Sequence, residues 1–408
     1  MMLKTRLLLV LALLAVMQSS VAEHLVGGEI FYECLGGDQY LITLKVYRDC
    51  YTVTGAPFDS PANIAIYDSD GVLVESLQPS FTGSEQLDVT INDPCLQAPP
   101  DVCVEEAVYT VTTSLPFLAG GYHIVYQRCC RNPTIVNLIN PDDLGSTYYV
   151  QLTELALNTC NSSPSFSSFP PLALCTNEEL IFDHSATDIE GDLLVYSLCT
   201  PYHGGSPVNP APVPPLAPPY ANIDWGVGYS AAYPLDGNPA LSIDAQTGLL
   251  TGTPTAVGQY VVGVCVEEYR NGELISVNKR DFQFNVVSCE SNLAAVIPDQ
   301  EVFHDPCDGL EVDFGNSSVN AQYYHWDFGV NGLQIDTSNL ENPIYVYPDT
   351  GLYEVMLIAN PGFHCADTTV EIVSVYIRPS VAILSSGELC SDANEFDFKF
   401  DCPLAELN

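Results

Sequence analysis

Tyr40-Leu41-Ile42-Thr43-Leu44-Lys45-Val46-Tyr47-Arg48 decides the fold class. Tyr40, Ile42, Leu44 and Val46 share one face, and Thr43, Lys45 and Tyr47 share the other, which is the period of two of a half-buried strand. Runs of the same kind recur at Ala107 to Thr112, Tyr122 to Gln127, Tyr148 to Leu152, Tyr260 to Glu267, Asp281 to Val287 and Tyr353 to Ile358, punctuated by Gly, Pro, Asn and Asp. No stretch beyond the N-terminus carries a capped apolar stripe of helical period. Many short strands between turn signals predict an all-β chain of tandem immunoglobulin-like β-sandwich domains, not a parallel sheet with crossover helices.

Composition narrows the function classes. The 408 residues hold 51 acidic and 11 basic side chains, a net charge of −40, so nucleic-acid backbone binding is excluded as a partner class. A hydrophobic content of 47% still provides for real cores, so the acidity does not imply disorder. Fifteen cysteines point to an oxidising compartment. The N-terminus agrees: Lys4 and Arg6, the apolar run Leu7 to Val16, and small residues at Ser20-Val21-Ala22 read as a secretory signal peptide over 1–22. That run is about half the roughly 20 residues a membrane span needs, and no later segment is long and apolar enough, so direct membrane insertion is not expected. The expected product is secreted, at the cell surface or outside the cell.

Composition breaks near Asn158 to Pro171, near Cys289 to Asp299 and at Ile377-Arg378-Pro379. They divide the mature chain into an N-terminal β domain (23–160), a second domain (170–289), a third (292–378) and a remainder (379–408). The remainder echoes the third domain. Ala295-Val296-Ile297, Cys307 and Val312-Asp313-Phe314 match Ala382-Ile383-Leu384, Cys390 and Phe396-Asp397-Phe398 in order. This reads as the start of a truncated further β module, and the odd cysteine count agrees.

The third domain resembles a PKD domain through Asn316-Ser317-Ser318, Tyr324-His325-Trp326-Asp327-Phe328-Gly329, Asn342-Pro343, Tyr347 and Gly351-Leu352-Tyr353-Glu354-Val355. Two departures from the family pattern, Val330-Asn331 after Gly329 and Tyr345 in place of a histidine, fall in turns. The second domain resembles cadherin-like or immunoglobulin-like modules of bacterial surface proteins. Ser185-Ala186-Thr187-Asp188-Ile189-Glu190-Gly191-Asp192 and Ile243-Asp244-Ala245-Gln246-Thr247-Gly248 carry that resemblance. The first is similar, through His24-Leu25-Val26-Gly27-Gly28-Glu29-Ile30, Tyr47-Arg48-Asp49-Cys50 and Gln127-Arg128-Cys129-Cys130-Arg131-Asn132, to the N-terminal part of PKD-containing surface proteins of gliding bacteria. These resemblances imply an exported surface protein connected with gliding motility or cell adhesion.

The cysteines read as structural. Cys307 and Cys365 are expected to meet at one end of the PKD-like sandwich. Of the three pairings open to Cys175, Cys199, Cys265 and Cys289, Cys199 with Cys265 and Cys175 with Cys289 is preferred. Among the seven N-terminal cysteines only Cys95 with Cys103 is named as a local pair. Cys129-Cys130 with His123 makes a poor zinc site, because adjacent thiolates do not easily share one tetrahedral ion.

Asp188, Glu190 and Asp192 gather three carboxylates around Gly191, a turn that suits Ca2+, with Glu267-Glu268 on a later strand adding oxygen. The competing reading is an acidic turn solvated by water. For Asp244 the expectation is a cap on its own turn. From Pro207 to Pro219, seven prolines in 13 residues predict an extended polyproline segment. Tyr202, Tyr220, Trp225, Tyr229 and Tyr233 flank it. Tyr220, Trp225, Tyr229 and Tyr233 are the ligand-site candidates, an aromatic platform for a surface glycan or protein, unless Trp225 and Tyr229 simply pack the insertion onto its own sandwich. H-E-x-x-H, G-x-S-x-G and phosphate-loop patterns are absent from the sequence. The expectation is a non-enzymatic adhesin or cell-surface scaffold. The alternative is the non-catalytic part of a secreted polysaccharide-degrading enzyme.

Overall fold

The computed structural model describes residues 25–377 except 52–55, 89–94, 96–101, 290–292, 300, 305–308, 331, 333–334 and 364, with the backbone alone for 301–304. The expected signal peptide, the expected truncated module and Cys307 therefore lie outside the described residues. The chain divides into two compact units, 1–91 with 98–289, and 92–97 with 290–408.

The first unit is nearly all strand: β1 (Leu25–Gly36), β2 (Gln39–Asp49), β3 (Ile64–Asp68), β4 (Leu73–Leu77), β5 (Ser84–Gln86), β6 (Val104–Ser114), β7 (Tyr122–Arg128), β8 (Ser146–Leu152), β9 (Ser165–Phe166), β10 (Ala173–Cys175), β11 (Leu180–Asp183), β12 (Ala186–Thr187), β13 (Leu193–Leu198), β14 (Ser242–Ile243), β15 (Leu249–Gly252), β16 (Gly258–Arg270) and β17 (Glu273–Val287). Among the described residues there are also a 3-10 turn at Pro141–Asp143 and a short α-helix, α1 (Glu154–Thr159), which starts where Thr153 Oγ1 accepts the Ala156 N–H at 3.1 Å. The fold is all-β, as the sequence predicts.

Tyr40, Ile42, Leu44 and Val46 of β2 are buried in one core with Ile30, Tyr32, Ile64, Tyr109, Ile124 and Tyr148. Tyr47 on the opposite face is also only 1% exposed, because a smaller cluster of Val26, Val104 and Leu172 covers it. A second large core holds Phe166, Leu174, Tyr196, Leu250, Val264, Phe282 and Phe284.

Two separate domains are expected on either side of residues 160–170, and here the structure differs. One sheet runs β4-β3-β7-β8-β17-β1-β2-β6-β5, with β10 and β16 also paired to β17 and β13 paired to β16. The long β17 belongs to both halves. It pairs with β16 along most of its length, touches β8 at Asn278↔Val150 and meets β1 at Gly28↔Asp281. The middle of the supposed linker is buried: Asn161, Ser162, Ser163 and Pro164 are enclosed, Ser163 Oγ accepts Tyr32 N at 3.0 Å, Ser162 Oγ accepts Cys34 N at 3.2 Å, and Asn278 Nδ2 donates to Pro164 O at 2.7 Å. Short polar side chains that mimic a linker in the sequence serve here to satisfy strand backbone across the seam.

The N-terminal motif explains why β17 can cross β1. A Cβ on Gly27 would lie 2.2 Å from Asp281 O, and one on Gly28 would lie 2.6 Å from both Lys45 O and the Tyr148 ring, so only glycine admits the approach. Around that crossing Arg280 pairs with Glu29 and Arg131 with Asp281, all four essentially excluded from water. Ser146 Oγ also donates to Asp281 Oδ2 at 3.2 Å. The Gly27-Gly28-Glu29 and Arg131 motif residues are thus a buried polar seam.

The second unit holds β18 (Glu301–His304), β19 (Glu311–Asp313), β20 (Tyr324–Asp327), β21 (Thr337–Ser338), β22 (Ile344–Val346), β23 (Gly351–Ala359) and β24 (Asp367–Ile377). A five-stranded sheet, β18-β24-β23-β20-β21, and a two-stranded one, β19-β22, enclose Phe314, Trp326, Phe328, Tyr347, Val355, Leu357 and Val373. Trp326 and Phe328 are buried, and Trp326 Nε1 donates to Leu340 O at 3.0 Å. Gly329 has φ +75°, and a Cβ there would lie 2.3 Å from Glu354 O.

Six disulfides are formed among the described residues: Cys34–Cys160, Cys50–Cys103, Cys95–Cys365, Cys129–Cys130, Cys175–Cys289 and Cys199–Cys265. The last two are the preferred pairings of the second region. Cys95 with Cys103 is corrected: Cys103 ends beside Cys50, where β6 and β2 pair, and Cys95 belongs to the short 92–97 stretch that clusters with the second unit. Cys365 is correspondingly joined to Cys95 and not to Cys307. Cys129 and Cys130 bridge each other, so neither thiolate is available to a metal beside His123.

Candidate functional site

The acidic turn between β12 and β13 does not bring Asp188, Glu190 and Asp192 to one point. Glu190 Oε1 turns away to accept Ser162 N and Ser162 Oγ, each at 3.0 Å. Asp192 is clamped by Arg270, whose Nε lies 2.9 and 3.0 Å from its two carboxylate oxygens and whose Nη2 adds a further bond. That hydrogen bonding from Arg270 holds the Asp192 carboxyl below the usual carboxylate range. Asp188 Oδ2 accepts the Asp192 N–H at 2.6 Å, while its Oδ1 is enclosed without a partner.

The carboxylate that does join Asp188 and Asp192 is Glu268 of β16, the three offering oxygens within 4.8 Å of one another. Glu268 is fully buried, accepts from Asn161 and Ser276, and burial pushes its pKa up to about 8. One guanidinium thus faces three carboxyl groups, of which Asp192 is paired with it and Glu268 is held toward its protonated form by burial. Oxygen donors fit a hard cation, but Arg270 already occupies the cation's place on Asp192. Asp244 caps its own turn, its Oδ1 accepting Gln246 N at 3.0 Å and Thr247 N at 2.8 Å.

The proline-rich insertion after Cys199 is ordered by hydrogen bonds to the β7–β8 hairpin. Leu216 N donates to Gln127 Oε1 at 2.8 Å, Gln127 Nε2 donates to Thr147 Oγ1 at 3.0 Å, and Thr147 Oγ1 donates to His203 O at 2.8 Å. This relay ties both ends of the segment through one buried glutamine. Cys129 N donates to Pro210 O at 2.8 Å, and Tyr67 OH donates to Pro215 O. Gly204 and Gly205 let the turn lie flat on the hairpin, since a Cβ at 204 would meet Thr147 Oγ1 at 2.1 Å and one at 205 would meet Cys129 at about 3.0 Å.

The four candidate aromatics do not form one platform. Trp225 packs with Ile135, Leu138, Ile223 and Val261, and its Nε1 donates to Thr200 Oγ1 at 3.2 Å. Tyr229 packs on the second core and donates to Asp236 Oδ2 at 2.7 Å. Ser230 and Tyr233 close a small backbone turn on each other, 3.1 Å each way. For Trp225 and Tyr229 the packing alternative therefore holds. Tyr220 joins a different group, with ring centroids 5.3 Å from Tyr149 and 5.7 Å from Tyr202. Lys279 Nζ sits 3.5 Å from the Tyr202 ring centre and donates to Thr200 O, and burial lowers its pKa to about 8.

Beside Tyr220 the insertion borders a half-open cavity of about 410 Å3. Pro212, Leu216, Ala217 and Pro219 line it together with Gln127, His203, Ser206 and Asn209. Burial, with Arg131 nearby, lowers the His203 pKa, and its Nδ1 accepts Gly145 N–H at 3.3 Å, so the ring is neutral with its proton on Nε2. The sequence points to this loop but not to Gln127, His203 or Asn209. The signal that was present is Gly204-Gly205-Ser206 just ahead of the prolines, a backbone able to lie against another strand.

No protein-family model matches the chain. It is 23% identical over 308 residues to "Integrin beta-like protein A" of Dictyostelium discoideum, covering 71% of this chain. The chain spans only 13% of that relative's length. Among solved structures it is similar to DIP-gamma IG1+IG2, at 11% identity over 53% of this chain and 99% of that one, with a TM-score of 0.20. It is also similar to a chain from a study of the structural basis for Dscam isoform specificity, at 8% identity over 87% of this chain and 73% of that one, with a TM-score of 0.19.

Proposed function

We propose that this chain is a non-enzymatic extracellular recognition protein, an adhesin or cell-surface scaffold that holds a neutral glycan or a protein surface through the proline-rich insertion. The observation that carries the reading is the insertion itself: a proline-rich loop pinned at Gln127, Thr147, Cys129 and Tyr67, with a cavity against it, on a disulfide-stapled scaffold. A long loop held rigid before any ligand arrives lowers the entropy lost on binding. Six disulfides require an oxidising compartment, which fits a surface or extracellular location. The weak likeness to an integrin beta-like protein favours adhesion over catalysis. In its finer form the proposal makes the second unit a PKD-like spacer on the surface of a gliding-type bacterium.

Calcium belongs to the proposal only in revised form, held by Asp188, Asp192 and Glu268 in place of the predicted set with Glu190, where it would have to displace Arg270 from Asp192 and the proton from Glu268. The proposal as a whole is tested by applying the oxidised, secreted protein to cells and to immobilised surface glycans, with product analysis of the same glycans. Retention of the protein with intact glycans is expected. Release of shortened sugars would transfer the case to the polysaccharide-degrading alternative.

A further inference from the structure

We infer that the cavity beneath the 203–221 insertion is a subsite for one uncharged, hydroxyl-bearing sugar residue of a neutral glycan, a reading that deepens and rests on the recognition function proposed above. On a chain of net charge −40, no Asp, Glu, Lys or Arg lines this cavity. An anionic ligand would meet a repulsive surface with no basic side chain to hold it, and a cationic one would find no carboxylate inside. The walls are of two kinds. Pro212, Leu216, Ala217, Pro219 and Tyr220 supply apolar lining that suits the C–H face of a pyranose.

The remaining lining residues offer hydrogen-bonding groups without charge. His203 lines the cavity and, with Nδ1 committed to Gly145 N–H, carries its proton on Nε2. Gln127 is 3% exposed and has one amide proton left after its bond to Thr147 Oγ1. Ser206 Oγ accepts Asn209 N at 3.2 Å and so keeps its own O–H free to donate, and Asn209 has an exposed side-chain amide. Neutral donors and apolar surface in the same lining match a ring that is apolar on its faces and carries hydroxyls around its edge. About 410 Å3 is at the small end of ligand pockets, room for one such ring and not for a long peptide segment.

The test uses the whole oxidised protein. Methyl glycosides of glucose, galactose, mannose and N-acetylglucosamine are titrated at millimolar concentration and followed by saturation-transfer NMR, beside glucuronate and a tetraproline peptide. At least one neutral glycoside is expected to bind. Ala221→Trp, which fills the cavity from an exposed position, is expected to abolish that binding, and Asn209→Ala to weaken it roughly five- to tenfold. Melting curves of both variants confirm that the fold is kept. Failure of every neutral glycoside, equal binding by glucuronate, preference for the tetraproline peptide, or binding undisturbed by Ala221→Trp would each overturn the inference. Cell attachment is scored separately. Attachment without glycoside binding rejects this subsite while the recognition function stands, and glycoside binding without attachment does the reverse.

Discussion

Replacing Glu29 by glutamine should destabilise the first unit more than any surface charge change. Glu29 is 0% exposed and Arg280 1% exposed, and the pair lies where β17 crosses β1. The other supports of Arg280 are Ser168 O at 2.5 Å and the Phe166 and Phe169 rings at 4.4 and 6.0 Å from its guanidinium carbon, none of which carries negative charge. Glutamine keeps the shape and one acceptor but leaves a buried cation uncompensated. Removing one partner of such a pair costs about 3 to 5 kcal/mol, and the surviving acceptor sets the lower end, about 3 kcal/mol, as the expectation. For a unit of this size each kcal/mol lowers Tm by roughly 2 to 4 °C, so a shift of about 6 to 12 °C follows. Calorimetry should show it in the first unit's transition, with that of the second unit unmoved. The double variant Glu29→Leu with Arg280→Met removes both charges and should be more stable than Glu29→Gln alone. A loss under about 1 kcal/mol for Glu29→Gln, or a double variant worse than the single, would refute the buried-pair reasoning.

His184 is packed among the Phe166, Phe182 and Phe282 rings with both ring nitrogens unpartnered, and burial, then Arg280, holds its pKa well below the usual value. The unfolded chain takes up that proton below about pH 6.5 while the folded chain refuses it, so stability is full above that pH and lost as pH falls, by up to about 1.4 kcal/mol per pH unit. His184→Phe should flatten this part of the pH profile of Tm, and an unchanged slope would reject the assignment. Replacing Cys199 and Cys265 by serine opens a loop of 66 residues and should cost about 4 kcal/mol in urea titrations; a variant as stable as the parent would show that the bridge constrains nothing. Calcium, if held by Asp188, Asp192 and Glu268, should raise Tm at millimolar concentration, and Asp188→Asn should remove the rise. Asp192→Asn is the wrong probe, since it also breaks the Arg270 clamp; no calcium shift in the parent protein sinks the site. Trp225→Ala should lower stability by about 2 to 3 kcal/mol, less than for a fully buried tryptophan, and an unchanged melting curve would return Trp225 to the list of free ligand-contacting residues.

What was legible in the sequence follows distance along the chain. The alternation from Tyr40 to Val46 is local, and the core uses it as read. Trp326 on β20 and Phe328 just past its end are two residues apart, and both are buried in the second unit's core. Glu29 could not be read as half of a buried pair, because its partner is Arg280, 251 residues away. The same holds for the stretch 161–164. Its Asn, Ser and Pro residues have the composition of a linker, and only the positions of Tyr32 and Asn278 show that they satisfy buried backbone instead. Among the cysteines, spacing favoured Cys95 with Cys103, whereas the β2–β6 register brings Cys50 to Cys103. The acidic turn failed for a related reason. Three carboxylates in five residues look convergent until Arg270, on another strand, takes Asp192, and Ser162 takes Glu190.

The basic residues show how this surface must work. Seven of the eleven lie among the described residues, and each is engaged inside the fold: Lys45 with Glu106, Arg48 with Glu105, Arg128 with Asp59, Arg131 with Asp281, Arg270 with Asp192, Arg280 with Glu29, and Lys279 with Thr200 and Tyr202. None of the seven is exposed. Positive charge is therefore spent on internal pairing, and the described outer surface is left to carboxylates and neutral groups. Such a surface repels copies of itself and acidic polymers over about one Debye length, roughly 8 Å at physiological salt, and has no basic patch with which to anchor either. In the recognition role proposed above, specific contact would depend on places where charge is absent. The 203–221 insertion supplies one, because prolines, glycines, Gln127 and a neutral His203 occupy the positions where the rest of the chain would place acids. The same economy explains why the loop is pinned by hydrogen bonds to neutral groups: an ion pair there would need a basic residue that the fold has already used.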